Sequence, residues 1–267
     1  MKQYTSTDQQ IHLLSQIIAK ANRSFLPKKE DDSHTNLYFD SLGKRITGRW
    51  LAAKTSEILF TLNLQNLSFE LVNKSQNILL SVPTIGLSIR EIEEKIESQL
   101  ENLGLNPEGF RDNLHYEIPP YPFSKEPISA IDTNSLNTWI HFRKMANEAC
   151  SQLLGHAQVH EELRIWPHHF DTGIYFSIND NLGLGFGMAM EDEMAGSPYF
   201  YISAYPSSGE INFETKPENE NWRWELGKDW KGAVLTLVQL SAKTEAEQKL
   251  ILTEFISKTY HFFANQC

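Results

Sequence analysis

Residue types able to bind metal or move protons crowd one stretch of this chain. His156, His160, Glu161, Glu162, His168, His169 and Asp171 follow closely, and four of the nine histidines fall between 156 and 169. Imidazole and carboxylate together suit borderline divalent metals, so His160, His169 and Asp171 are the candidate ligands. A strand through 168–169 would send adjacent histidines to opposite faces, leaving one able to meet a given metal. A polar segment leading into a strand is the simpler reading, and no metal or other cofactor is expected. Glu191-Asp192-Glu193 lacks the spaced acidic pattern of a calcium loop and reads as a solvated turn. Cys150 lies on an apolar helical stripe, as a core thiol does, and reads as a nucleophile only if a histidine stands beside it.

The motifs of common catalytic and phosphate-binding folds are absent: the sequence holds no G-x-x-x-x-G-K-[ST], G-x-S-x-G, H-E-x-x-H or C-x-x-C. Gly183-Leu184-Gly185-Phe186-Gly187 is no dinucleotide loop, since no helix follows to receive a pyrophosphate. With a period of two, its glycines share one strand face and Leu184, Phe186 and Met188 the other. A glycine face admits something large against the backbone. The next strand offers Tyr199, Tyr201 and Tyr205, and the preceding one His169, Asp171 and Tyr175. The spacing predicts that one of the three tyrosines covers the glycines and that Asp171 and Tyr175 border what stays open. Such a cup suits a sugar or an aromatic ligand; a helix covering the face is the alternative.

Four helices must position these groups. Capping boxes at Ser6–Gln9, Ser88–Glu91 and Thr244–Glu247, with apolar residues at helical spacing, predict helices near 7–26, 88–103, 135–154 and 244–264. Strand patterns fill the intervals: 37–40, 45–50, 57–63, 67–72 and 77–82 in the first, then 163–166, 172–178, 184–190, 199–205, 222–226 and 233–237 in the second. The fold class is therefore α+β: two antiparallel β-meander sheets, each flanked by two helices, a helix–strands–helix unit given twice. Residues 1–106 form an N-terminal half, 107–134 a connector rich in proline (Pro119, Pro120, Pro122, Pro127), and 135–267 a C-terminal half. The connector favours extended polyproline geometry.

Composition bounds the partners. The 267 residues are 40% hydrophobic and 22% charged, with a net charge of −10 and a pI near 5.4. That sign disfavours nucleic acid and anionic membrane surfaces. Two cysteines, Cys150 and Cys267, make no disulfide framework. No hydrophobic leader or spanning segment is visible, so a reducing cytoplasm is expected. The sequence assigns no oligomeric state.

Several strings, in order along nearly the whole chain, resemble a bacterial family known only as a domain of unknown function. They are His12-Leu13-x-x-Gln16-Ile17-x-x-Lys20, His34-x-x-Leu37-Tyr38, Phe170-Asp171, Phe200-Tyr201-x-x-Ala204-Tyr205-Pro206 and Glu225-Leu226-Gly227. The resemblance brings no activity, cofactor or substrate. At His168 and His169 the chain departs from it. The matched His12, Gln16 and Lys20 fall four apart on one helical stripe opposite Leu14, Ile18 and Phe25. Either that stripe is solvated, or it borders a polar cleft with His34, Asp171, Tyr205 and Glu225 opposite. Those seven residues are the candidate ligand-binding set. The leading functional expectation is binding of a small polar or aromatic ligand in the C-terminal half or between halves. A hydrolase using His and Asp/Glu and an interaction module without a small-molecule site are the alternatives.

Overall fold

Helix α1 (Lys2–Phe25) starts before Ser6, because Tyr4 prolongs the buried stripe of Ile11, Leu14 and Ile18. The expected Ser6–Gln9 box therefore lies inside the helix and does not start it. The computed structural model describes residues 1–54 and 56–266, so Cys267 lies outside the described residues. The chain divides into two compact units: residues 6–141 with 165–170, and residues 1–5, 142–164 and the chain from 171 onward.

In the first unit, β1 (Tyr38–Asp40), β2 (Arg45–Ala52), β3 (Glu57–Asn63), β4 (Ser68–Asn73) and β5 (Ile78–Pro83) pair antiparallel in chain order. Asp40 turns the first hairpin by accepting from the N–H of Leu42 and Gly43 at 3.1 and 2.9 Å. Ile46, Leu62, Phe69 and Val82 stand in register across four strands, all buried. Helix α1 comes closest at Gly48, where a β-carbon would fall 2.5 Å from Oδ1 of Asn22 and 2.8 Å from Cγ2 of Ile18. Helix α2 (Ile89–Leu100) carries the expected Ser88–Glu91 capping box and buries Ile92, Ile96 and Leu100. The proline-rich stretch folds onto α1 within this unit as a strap.

Helix α3 (Thr133–Ala157) passes into the second unit, which also holds α4 (Leu237–Ser241) and α5 (Glu245–Ala264). A six-stranded antiparallel sheet runs in the order β10 (Arg223–Leu226), β11 (Lys231–Thr236), β9 (Tyr199–Pro206), β8 (Leu182–Ala189), β7 (Asp171–Asn179), β6 (Arg164–Trp166). The expected meander fails at one end, where β11 returns between β9 and β10. Burial explains the exchange: Gly232 through Leu235 are buried, as an inner strand requires, while β10 is half-exposed and suits an edge. The two sheets thus differ in strand order, so the helix–strands–helix pattern recurs as a sequence of elements and not as a duplicated topology. One face of this sheet is apolar, with Ile174, Phe176, Leu184, Phe186, Phe200 and Ile202 buried. Helix α5 packs on β9, and Arg143 of α3 donates to Oγ1 of Thr172 at 2.9 Å. Among the described residues, no helix is long and apolar enough to cross a membrane.

Candidate functional site

The opposite face of the six-stranded sheet is built from glycine and aromatic rings. Register sets Tyr175, Gly185, Ser203, Gly232 and Glu225 in one row across β7, β8, β9, β11 and β10. Ser177, Gly183 and Tyr205 form the next row. Three aromatic side chains occupy the space over three of the glycines. A β-carbon on Gly183 would fall 2.7 Å from Cζ of Tyr175, one on Gly185 3.2 Å from Cε2 of Tyr205, and one on Gly232 2.5 Å from Cη2 of Trp230. An aromatic ring resting on a glycine backbone restores the cover that the missing side chain withholds. Tyr205 thus covers the glycine face as expected and Tyr201 reaches Gly187, whereas Tyr175, expected at the border, is itself part of the cover. Tyr175 and Tyr205 remain 46% exposed, their ring centroids 6.0 Å apart and their planes tilted by 51°. The rings therefore pave the sheet and present their outer faces to solvent.

Polar groups rim the pavement. Tyr201 is hydrogen-bonded to Asp171; burial first, then the Asp171 charge, pushes the Tyr201 hydroxyl well above its ordinary range. Tyr199 donates to Oδ2 of Asp192 at 2.6 Å, and burial with that bond raises it likewise. Both tyrosines stay protonated at neutral pH and act as donors, not as phenolate nucleophiles. Arg223 pairs with Glu225 along β10. Oγ of Ser203 donates to the Lys231 carbonyl at 2.7 Å. Exposed rings with hydrogen-bonding groups beside them are the equipment of stacking and orientation, and the tyrosines described here are donors rather than nucleophiles.

The α1 stripe does different work. His12 is 1% exposed, and both ring nitrogens are engaged: Nε2 with the Pro167 carbonyl at 2.9 Å and Nδ1 with the Tyr121 hydroxyl at 2.5 Å. A carbonyl only accepts, so Nε2 carries the proton and Nδ1 accepts from Tyr121. The imidazole stacks on Phe170, centroids 4.9 Å apart. Gln16 donates to the same Pro167 carbonyl at 2.8 Å and accepts from the Tyr116 hydroxyl at 2.9 Å. Burial lifts the hydroxyls of Tyr116 and Tyr121 above their ordinary range, so both are donors at neutral pH. Lys20 pairs with Glu93 at 2.8 Å and donates to the Arg111 carbonyl at 3.2 Å. Gln10 donates to the Ser129 carbonyl, and Arg23 to those of Gly109, Asp112 and Asn113.

The strap is not the continuous extended segment expected: short turns close on the carbonyls of Pro107, Gly109, Tyr121 and Phe123, and α1 supplies further partners for its carbonyls. The expected solvated or cleft-lining stripe is thus a fastening, and His12 and Gln16 are shut inside it. Asp8, one turn before His12, holds Nε1 of Trp139 at 2.7 Å. Asp8, Tyr116 and Tyr121 escaped the sequence reading, although Asp8-x-x-x-His12-x-x-x-Gln16 continues the same four-residue spacing.

The other candidates are dispersed. His34 is buried, and its Nδ1 accepts from the Lys29 N–H at 3.3 Å; burial lowers its pKa against an opposing pull from Asp32. His160 is exposed. His168 and His169 sit in a turn, not a strand, their ring centroids 4.4 Å apart. Pro167 and the left-handed Phe170 (φ 61°) bracket that turn and abolish the alternation expected there. Among the described residues, no group of three or more His, Cys, Asp or Glu side chains is placed to hold a metal ion. His12, Gln16, Lys20, His34 and His169 belong to the first unit; Asp171, Tyr205, Glu225 and His160 belong to the second.

Burial holds the His168 imidazole down to about 4, with His169 and His115 adding to the shift and Asp32 opposing it. A histidine neutral in the fold but free to protonate once unfolded stabilises fully above its ordinary 6.5. That contribution is lost as pH falls from 6.5 towards 4. His168→Gln is therefore expected to flatten the decline in stability across that interval. Urea midpoints at a series of pH values measure it, and an unchanged slope would assign the titration elsewhere.

No family model, curated protein or solved structure matches the chain.

Proposed function

We propose that the protein binds a ring-bearing ligand on the paved face of the six-stranded sheet, and that it does so as a cytoplasmic protein without nucleic-acid partners. The observation that carries this reading is the set of three aromatic side chains over Gly183, Gly185 and Gly232, two of them tyrosines with nearly half their surface free. Aromatic faces carry partial negative charge and attract the C–H edges of a ring laid over them. Asp171 and Glu225 on the same face disfavour phosphate. Hydrolysis is the weaker reading, because both nitrogens of His12 are spent on Tyr121 and Pro167 inside the fold.

Saturation-transfer NMR against a panel of sugars and small aromatic compounds tests the reading, with amide chemical shifts as a second signal. The double variant Tyr175→Ala, Tyr205→Ala is expected to weaken binding at least about tenfold, on the scale of two lost stacking contacts. Its amide spectrum should stay folded. A panel in which no ring compound binds, or binding that ignores both substitutions, would sink the proposal.

A further inference from the structure

We infer that the ligand is an uncharged oligosaccharide lying across the strands, over Trp230, Tyr205 and Tyr175 in turn; this rests on the ring-binding reading above. Three features of the pavement point to such a chain.

The first is its shape. Small-molecule sites enclose most of their ligand, whereas these rings stand on an open sheet face and Tyr175, Tyr205 and Ser177 face solvent. A single sugar or aromatic ring laid there buries one face only. A useful affinity then requires a ligand long enough to cover several platforms at once, each contact making the next one intramolecular. The platforms come from β7, β9 and the residue just before β11, so the path runs across the strands rather than along one of them.

The second is the tilt. The planes of Tyr175 and Tyr205 differ by 51°. A fused planar aromatic cannot lie flat on both. A chain of saturated rings with a rotatable linkage between units can turn from one platform to the next, following the twist of the sheet.

The third is the charge. Glu225 is paired with Arg223 and Asp171 accepts from Tyr201, so both rim carboxylates are engaged within the protein. The chain's net charge of −10 opposes anions. What the face offers to solvent is hydroxyl groups, those of Tyr175, Tyr205 and Ser177, each of which can donate and accept. A sugar hydroxyl both donates and accepts, and so matches them.

The experiment uses the full chain and four hexasaccharide probes. Three are uncharged: β-1,4-linked glucose, β-1,4-linked N-acetylglucosamine and α-1,4-linked glucose. The fourth is anionic, α-1,4-linked galacturonate. Amide shifts are followed, with the part of the tryptophan emission that Trp230→Ala removes as a second signal, and indole and tyramine are titrated alongside. At least one uncharged hexamer should bind ten or more times tighter than its own disaccharide. Tyr205→Ala and, separately, Trp230→Ala should each cut hexamer affinity several-fold while the amide spectrum stays folded, and galacturonate should not bind. If indole or tyramine shifts the pavement and no hexamer does, the saccharide assignment falls and the ring-binding reading stands. If no probe shifts it, both fall. Binding that shows no gain from disaccharide to hexamer, or that Tyr205→Ala leaves intact, also overturns the assignment.

Discussion

Gly187→Ala should destabilise the protein by about 3 kcal/mol, the upper end of what overpacking usually costs. A β-carbon at Gly187 would stand 2.5 Å from the Thr172 carbonyl oxygen and 3.0 Å from Cα of Gly173. Both belong to the backbone of the neighbouring strand, which pairs Gly173 with Gly187. They cannot retreat without opening the ladder between β7 and β8. Gly185 differs. Its nearest neighbour is Cε2 of Tyr205 at 3.2 Å, on a ring that is 46% exposed and can swing outward. Gly185→Val should therefore cost only about 1 kcal/mol, the strain offset by valine's preference for strands. Urea denaturation of the two variants settles the ranking. Equal losses, or a tolerated alanine at 187, would mean that the spacing between β7 and β8 is looser than described.

His12→Ala should cost about 3–4 kcal/mol, combining a cavity with the loss of two buried hydrogen bonds. The ring stacks on Phe170, donates to the Pro167 carbonyl and accepts from Tyr121. Its removal unfastens the strap and the 167–170 turn together. Tyr121→Phe deletes one bond and keeps the ring, so about 1 kcal/mol is expected. Equilibrium unfolding compares the two, and a His12→Ala loss below that of Tyr121→Phe would contradict the fastening role. The strap should also become the first site of protease cleavage in His12→Ala, since its hold on α1 is through side chains.

Local chemistry was legible where it was sufficient. Ser88–Glu91 and Thr244–Glu247 form their capping boxes because each serves a helix whose apolar stripe begins just after it. Ser6–Gln9 has the same letters, but Tyr4 carries the stripe past it. The glycine face followed from a period of two, and so did its tyrosine cover. Trp230 was not legible as part of that cover, because its place depends on β9 taking β11 rather than β10 as its neighbour, a long-range choice. The role of His12 and Gln16 was hidden for a related reason. Their partners are carbonyls of Pro167 and hydroxyls of Tyr116 and Tyr121, and a backbone carbonyl leaves no mark in a sequence. The Pro167–Phe170 turn escaped notice because its left-handed Phe170 is a residue type that seldom adopts that conformation.

The fastening of α1 also orders events in time. Hairpins β1 to β5 join neighbours in the chain and can form as the chain emerges from the ribosome. Gln16 and Tyr116 lie 100 residues apart, and His12 and the Pro167 carbonyl 155. A nascent chain not yet translated to residue 167 therefore carries the helix with His12 and Gln16 still lacking the Pro167 carbonyl that both of them hold. The first helix made is among the last to be seated, and translation must reach the second sheet before the first unit can close.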